Sequence, residues 1–144
     1  MTVNLNRFLD AQAPIYADAL AELRVGQKHT HWIWFILPQL RGLGHSYDAT
    51  YYGLENAAET AAYLAHPVLG SRLRECVTAI LAHKDKTAHT ILGAPDDLKF
   101  RSCLTLFRAV SAPDDPLWQN ALDQFYAGQP DQATLRLLAS TPPA

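Results

Sequence analysis

Cysteine, charge of one sign and long apolar runs are all scarce in this chain, and each scarcity removes a class of protein. The 144 residues include two cysteines, Cys76 and Cys103. Each sits inside a helical apolar pattern, so buried free thiols are expected rather than a disulfide framework or a redox pair. A formal charge of −2 lacks the basic excess that displaces counterions, so general binding to nucleic acid or anionic lipid is not expected. The longest apolar run, Trp32–Leu37, falls far short of the ~20 residues a bilayer requires. Asn4, Arg7, Asp10, Asp18 and Glu22 interrupt any leader-like apolar core near the start. A cytoplasmic protein without membrane contact is the expectation.

Chemical signatures are missing too. There is no Gly-x-Ser-x-Gly elbow, no phosphate-cradling Gly-x-x-x-x-Gly-Lys and no dinucleotide glycine fingerprint. Neither Cys-x-x-Cys nor His-Glu-x-x-His occurs, and His29 and His31 are too close for a helical i, i+4 zinc pair, so no metal and no cofactor are expected. Period-two patterns, Asn-Gly or Asp-Gly hairpin turns and fixed-period repeats are absent, which argues against sheets and solenoids.

What remains is punctuation for helices. Apolar residues make up 49% of the chain and charged residues 18%, the balance of a folded domain. Ile15–Arg24 carries a one-sided apolar face stopped by Gly26. Asn56 and Glu59 form a capping-box-like start for a helix to Ala65. Pro67 suits the first turn of a helix whose stripe is Leu69, Leu73, Cys76, Val77, Ile80 and Leu81. Thr87–Leu92 is a shorter helix ended by Gly93, and Pro95, Asp96 and Asp97 open one through about Val110. Leu117–Ala127 and a segment capped by Asp131 complete about seven helices. The expected architecture is all-α, a single compact multi-helix domain over residues 1–144, with its core at about 5–139 and a frayed tail at 140–144.

Residues Arg41–Leu54 read as one long aromatic loop, with three glycines and no helical stripe, and loops of this length are often functional. The loop follows the run HTHWIWFILPQL, His29–Leu40, the chain's densest cluster of rings. If Thr30–Leu37 is helical, Trp32 and Trp34 point about 200° apart. Trp32, Phe35 and Ile36 are then expected in the core, with His31 and Trp34 on a pocket wall. A planar ligand would stack there. Trp34, Gln39, Arg41, Tyr51, Tyr52, Lys99, Arg101 and Ser102 are the candidate ligand-binding residues, aromatics for a ring and cations or a hydroxyl for phosphate. His31 and Glu59 are the candidate proton carriers. On the helix from Pro95, the expected core stripe is Phe100, Cys103, Leu104, Phe107 and Val110, leaving Lys99, Ser102 and Leu106 along a second edge. Oligomeric state is left open.

The segments HWIWFILPQLRGLG, YYG, AYLAHPVLGSRLREC and DDLKFRSCLTLF closely resemble the bacterial family catalogued as DUF1810, from about Arg7 to Leu138. That resemblance implies a compact helical domain with no established activity. Its members are in places labelled calpastatin, yet that inhibitor is disordered and repetitive, unlike capped helices in an apolar-rich chain. A fainter similarity, in an aromatic N-terminal half and a later helix with Lys99 before an apolar run, is to the NADAR family of N-glycosidases, which act on riboflavin intermediates and ADP-ribose derivatives. It implies a nucleotide-like or phosphorylated small-molecule ligand. Three functions follow as expectations: ligand binding in an aromatic pocket, N-glycosidic hydrolysis, or a non-catalytic interaction domain.

Overall fold

The computed structural model describes residues 4–140, so of the expected tail at 140–144 only Ser140 is described, as the last residue of a helix, and the rest lies outside the described residues. Within them the chain is all-helical and forms ten helices rather than about seven. These are α1 (Asn6–Gln12), α2 (Tyr16–Val25), α3 (Ile33–Ile36), α4 (Tyr47–Tyr52), α5 (Ala57–Ala65), α6 (Leu69–Leu81), α7 (Ala88–Leu92), α8 (Asp96–Val110), α9 (Leu117–Tyr126) and α10 (Gln132–Ser140). The three additional elements are α1, where Leu5, Phe8 and Leu9 read as no more than a short N-terminal turn, α3 and α4; the equally brief α7 is legible because Thr87 and Gly93 bracket it. The expected loop Arg41–Leu54 therefore contains a helix. Its start is signalled by Ser46, whose side chain accepts from the Ala49 N–H, and Tyr47 stacks on Tyr51 one turn later. The ends of this segment are tied together, Arg41 N–H donating to Leu54 and Leu54 N–H to Gln39.

Most local signals do what short-range chemistry predicts, although Pro67 lies ahead of the Val68 N-cap rather than in the first turn of α6. Gly26 takes a left-handed φ of 88° and closes α2, a conformation that costs glycine little. Asn56 accepts from the Glu59 N–H to start α5. The His66 ring nitrogen accepts from the Val68 and Leu69 N–H groups ahead of α6. Asp131 caps α10 through the Thr134 N–H at 2.9 Å. Gly70 has a different reason. A Cβ there would lie 2.0 Å from the Leu64 carbonyl oxygen, so only glycine lets α6 turn back this closely on the end of α5.

Helix α8 is the hub, packed against α5, α7, α9 and α10, while α6 packs against α2, α5 and α9. The one-striped reading of α8 is corrected by its burial: Ser102, Thr105 and Leu106 are buried along with Phe100, Cys103, Leu104 and Phe107. Helices on several sides leave little of it for solvent. Its buried hydroxyls fold back, Ser102 onto the Leu98 carbonyl and Thr105 onto that of Arg101, which satisfies them without water. Cys76 and Cys103 are free and buried. Burial pushes the Cys76 thiol up to about 12 and raises Cys103 as well, so neither is a thiolate nucleophile at neutral pH. Among the described residues no helix is long and apolar enough to cross a membrane.

Candidate functional site

The aromatic run folds differently from a continuous helix, yet it divides its tryptophans. Helix α3 is a single turn, and Trp32 precedes it with a non-helical φ of −143°. Trp32, Phe35 and Ile36 are buried, and Trp34 is half-buried. Helix arithmetic is not the cause. Glu22, at the end of α2, organises the approach: its Oε1 accepts from the His29 N–H at 2.7 Å, the Thr30 N–H at 3.0 Å and the Trp32 indole at 3.1 Å. Its Oε2 accepts from the Thr30 hydroxyl at 2.6 Å. Burial alone would raise the Glu22 carboxyl. The Thr30 hydroxyl and the N–H donors of Thr30, His29 and Trp32 overcome that and hold it at about 2 rather than 4.5.

A carboxylate held below its unfolded value stabilises the fold above about pH 4.5, and that stability is lost as pH falls towards 2. Replacing Glu22 by Gln is expected to cost about 1–3 kcal/mol at neutral pH. It should also flatten the acid limb of a stability-against-pH curve between those two values. An unchanged acid limb in chemical denaturation would remove Glu22 as the organiser.

Where this segment meets the start of α8 there is a recess of about 340 Å³, lined by Lys28, His29, His31, Trp34, Asp96 and Lys99, with Leu92, Ala94 and Pro95 beside them. Lys28 is pinned to α7 by its N–H on the Ile91 carbonyl. Its Nζ lies 2.8 Å from Asp96 Oδ2, with Lys28 side-chain exposure of 6% and Asp96 of 15%. The same ammonium stands 5.0 Å from the Trp32 ring centroid. Lys99, one turn along α8, makes the longer contact to Asp96, 3.7 Å, and stands over Trp34 at 5.3 Å. Two ammonium groups thus flank one carboxylate, each over a tryptophan. Among the described residues no group of His, Cys, Asp or Glu is assembled to hold a metal ion.

The candidate residues separate into groups. His31, Trp34 and Lys99 meet in the recess. Tyr51 and Tyr52 belong to another ring cluster: Tyr52 contacts Phe8 and Phe35, and Tyr51 meets Tyr52 edge-on at 4.8 Å. Burial raises the Tyr52 hydroxyl. Arg41 donates to the Thr50 carbonyl at 2.9 Å, and the Gln39 carbonyl joins the loop ends. Glu59 pairs with Arg7 at 2.8 Å and accepts from the Glu55 N–H. Arg101 donates to the Gln129 and Pro130 carbonyls, fastening the α9–α10 link, and Ser102 is buried. Lys28, Asp96 and Glu22 were not among the candidates. Lys28 and Asp96 are distant in sequence and meet only through the fold, whereas Glu22 left no cue beyond its acidity close before the aromatic run.

The sequence model of the family described as "Protein of unknown function (DUF1810)" matches residues 2–138. The crystal structure of the conserved hypothetical protein Rv1873 from Mycobacterium tuberculosis is similar, at 43% identity and a TM-score of 0.92, covering 95% of this chain and 97% of that one. No curated protein matches. These matches carry the fold and the family; the similarity to N-glycosidases is not shown by them.

Proposed function

The chain belongs to the DUF1810 family of proteins of unknown function, and from the recess between α3 and α8 we propose that it binds a small phosphorylated ring compound, nucleotide-like in size. The observation that carries this reading is the Lys99 ammonium, 5.3 Å over the Trp34 ring, with Lys28 and Asp96 behind it. A volume of about 340 Å³ falls within the range of small-molecule sites. Trp34 supplies a stacking face, the lysines an anion anchor and His31 a polar rim.

The test is a thermal-shift screen against nucleotides, ADP-ribose and phosphorylated flavin intermediates. A ligand at 100 times its dissociation constant is expected to stabilise by ~2.7 kcal/mol. Trp34→Ala should cut that shift to about 0.3–1.8 kcal/mol at the same ligand concentration, each stacked ring contributing roughly 1–3 kcal/mol. A flat response across the panel, or a shift undiminished by Trp34→Ala, would sink the reading.

N-glycosidic hydrolysis of the same ligand is a second reading. It is favoured by His31, an imidazole exposed at the rim of the recess. Retained binding with lost turnover in His31→Gln distinguishes catalysis from simple binding. An interaction domain is favoured instead by the stacked Tyr47 and Tyr51, 78% and 45% exposed. A solution mass that stays near 16 kDa at all concentrations argues against self-association through that pair.

A further inference from the structure

Trp34 packs against the hydrophobic core, so its ring offers one open side to the recess, and the Lys99 ammonium already stands over that ring, 5.3 Å from its centroid. A ligand ring and Lys99 therefore compete for the same place. We propose that Lys99 is a specificity-determining latch: it excludes neutral rings from Trp34, and it is drawn aside only by a ring that carries its own anionic group. This rests on the reading of the recess given above and names what that recess selects.

Two features let the latch move. Lys99 holds Asp96 only loosely, at 3.7 Å and with 24% of its side chain exposed. When it leaves, the Asp96 carboxylate keeps its 2.8 Å partner Lys28, whose side chain is 6% exposed, so no buried charge is left without a counter-ion. A neutral ring must displace an ammonium from both the aromatic face and the carboxylate, and gains the face while leaving that ammonium without a new partner. A phosphorylated ring replaces those contacts with an ion pair to Lys99 and gains the vacated face. Selection of this kind acts through the cost imposed on the wrong ligand as much as through contacts to the right one.

The experiment compares adenosine 5′-monophosphate, adenosine and inorganic phosphate as probes, by calorimetric titration of the unmodified chain, Lys99→Met and Lys99→Met combined with Trp34→Ala. Lys99→Gln serves as the second variant should the methionine protein fail to fold. The unmodified chain is expected to bind the monophosphate at least about ten-fold more tightly than adenosine. Lys99→Met should lose the monophosphate by a similar factor and gain adenosine, and the added Trp34→Ala should abolish that gain. Loss of the monophosphate with no gain of adenosine makes Lys99 a plain anion anchor and overturns the latch. Equal binding of adenosine and the monophosphate by the unmodified chain overturns it as well, while leaving the recess as a ring site. Silence of all three probes in both the unmodified chain and Lys99→Met overturns the recess reading itself.

Discussion

Replacing Trp118 by Ala is expected to destabilise the fold by about 3–5 kcal/mol, a large share of the 5–15 kcal/mol that holds a typical domain together. Trp118 is fully buried and stacked on Phe107 of α8, with ring centroids 5.6 Å apart and planes inclined by 28°. It therefore joins α9 to the hub helix. Its indole N–H donates to Asp115 Oδ2 at 3.2 Å, and Asp115 takes both Arg74 amino groups, at 3.2 and 2.7 Å. The Arg74 guanidinium also faces the indole, 5.4 Å from its centroid. Hydrogen bonding from Arg74 holds the Asp115 carboxyl below its usual range. One truncation thus opens a cavity and loosens the link from α6 to α9.

Trp118→Phe separates the two contributions, keeping most of the ring and deleting the N–H. It should cost about 1.5–3 kcal/mol for the lost bond to a carboxylate. Urea unfolding is the measurement, with the midpoint moving and the slope unchanged. A loss below 1 kcal/mol for the alanine variant would mean that α9 is not anchored by this ring.

Trp118 and its Asp115 partner lie three residues apart, the scale on which sequence was informative throughout. Gly26, the Asn56–Glu59 cap and Asp131 ahead of α10 all act within a few residues, so composition and spacing reveal them. Helices α1, α3 and α4 are harder to read because one or two turns carry no period and none has the paired cap and glycine stop that mark α7: α1 shows as a turn, α3 as part of a longer helix Thr30–Leu37, and α4 only through Ser46 and the Tyr47–Tyr51 spacing. In the recess, Trp34, His31 and Lys99 could be read from type and position. Their companions could not: Lys28 reaches Asp96 across the fold, and Arg7 draws Glu59 into an ion pair that no local pattern announces. Arg101 and Ser102 show the same limit. A cation and a hydroxyl near Lys99 suggest an anion site, yet α8 is so enclosed that one fastens a loop and the other faces the interior.

Lys28→Met is expected to cost about 2–4 kcal/mol, and adding Asp96→Asn should restore part of that loss rather than add to it. The sign follows from desolvation. Lys28 and Asp96 are held at 2.8 Å with side-chain exposures of 6% and 15%, so removing only the ammonium leaves a carboxylate largely shielded from water. Breaking such a pair by one partner costs about 3–5 kcal/mol, whereas replacing both charges is often close to neutral. Lys99, already 3.7 Å from the same carboxylate, can close on it in the single variant, which moves the expected loss towards the lower figure. That closure carries a functional consequence. With Lys99 committed to Asp96, the recess loses its movable cation, and the phosphorylated ligand should bind less tightly to Lys28→Met than to the double variant, in which Asp96 no longer competes for Lys99. Denaturation and ligand titration of the four proteins in the cycle measure both effects. Additive losses of stability would show that Lys28 and Asp96 act independently, and the recess would then lack the fixed ion pair on which the proposed anion site depends.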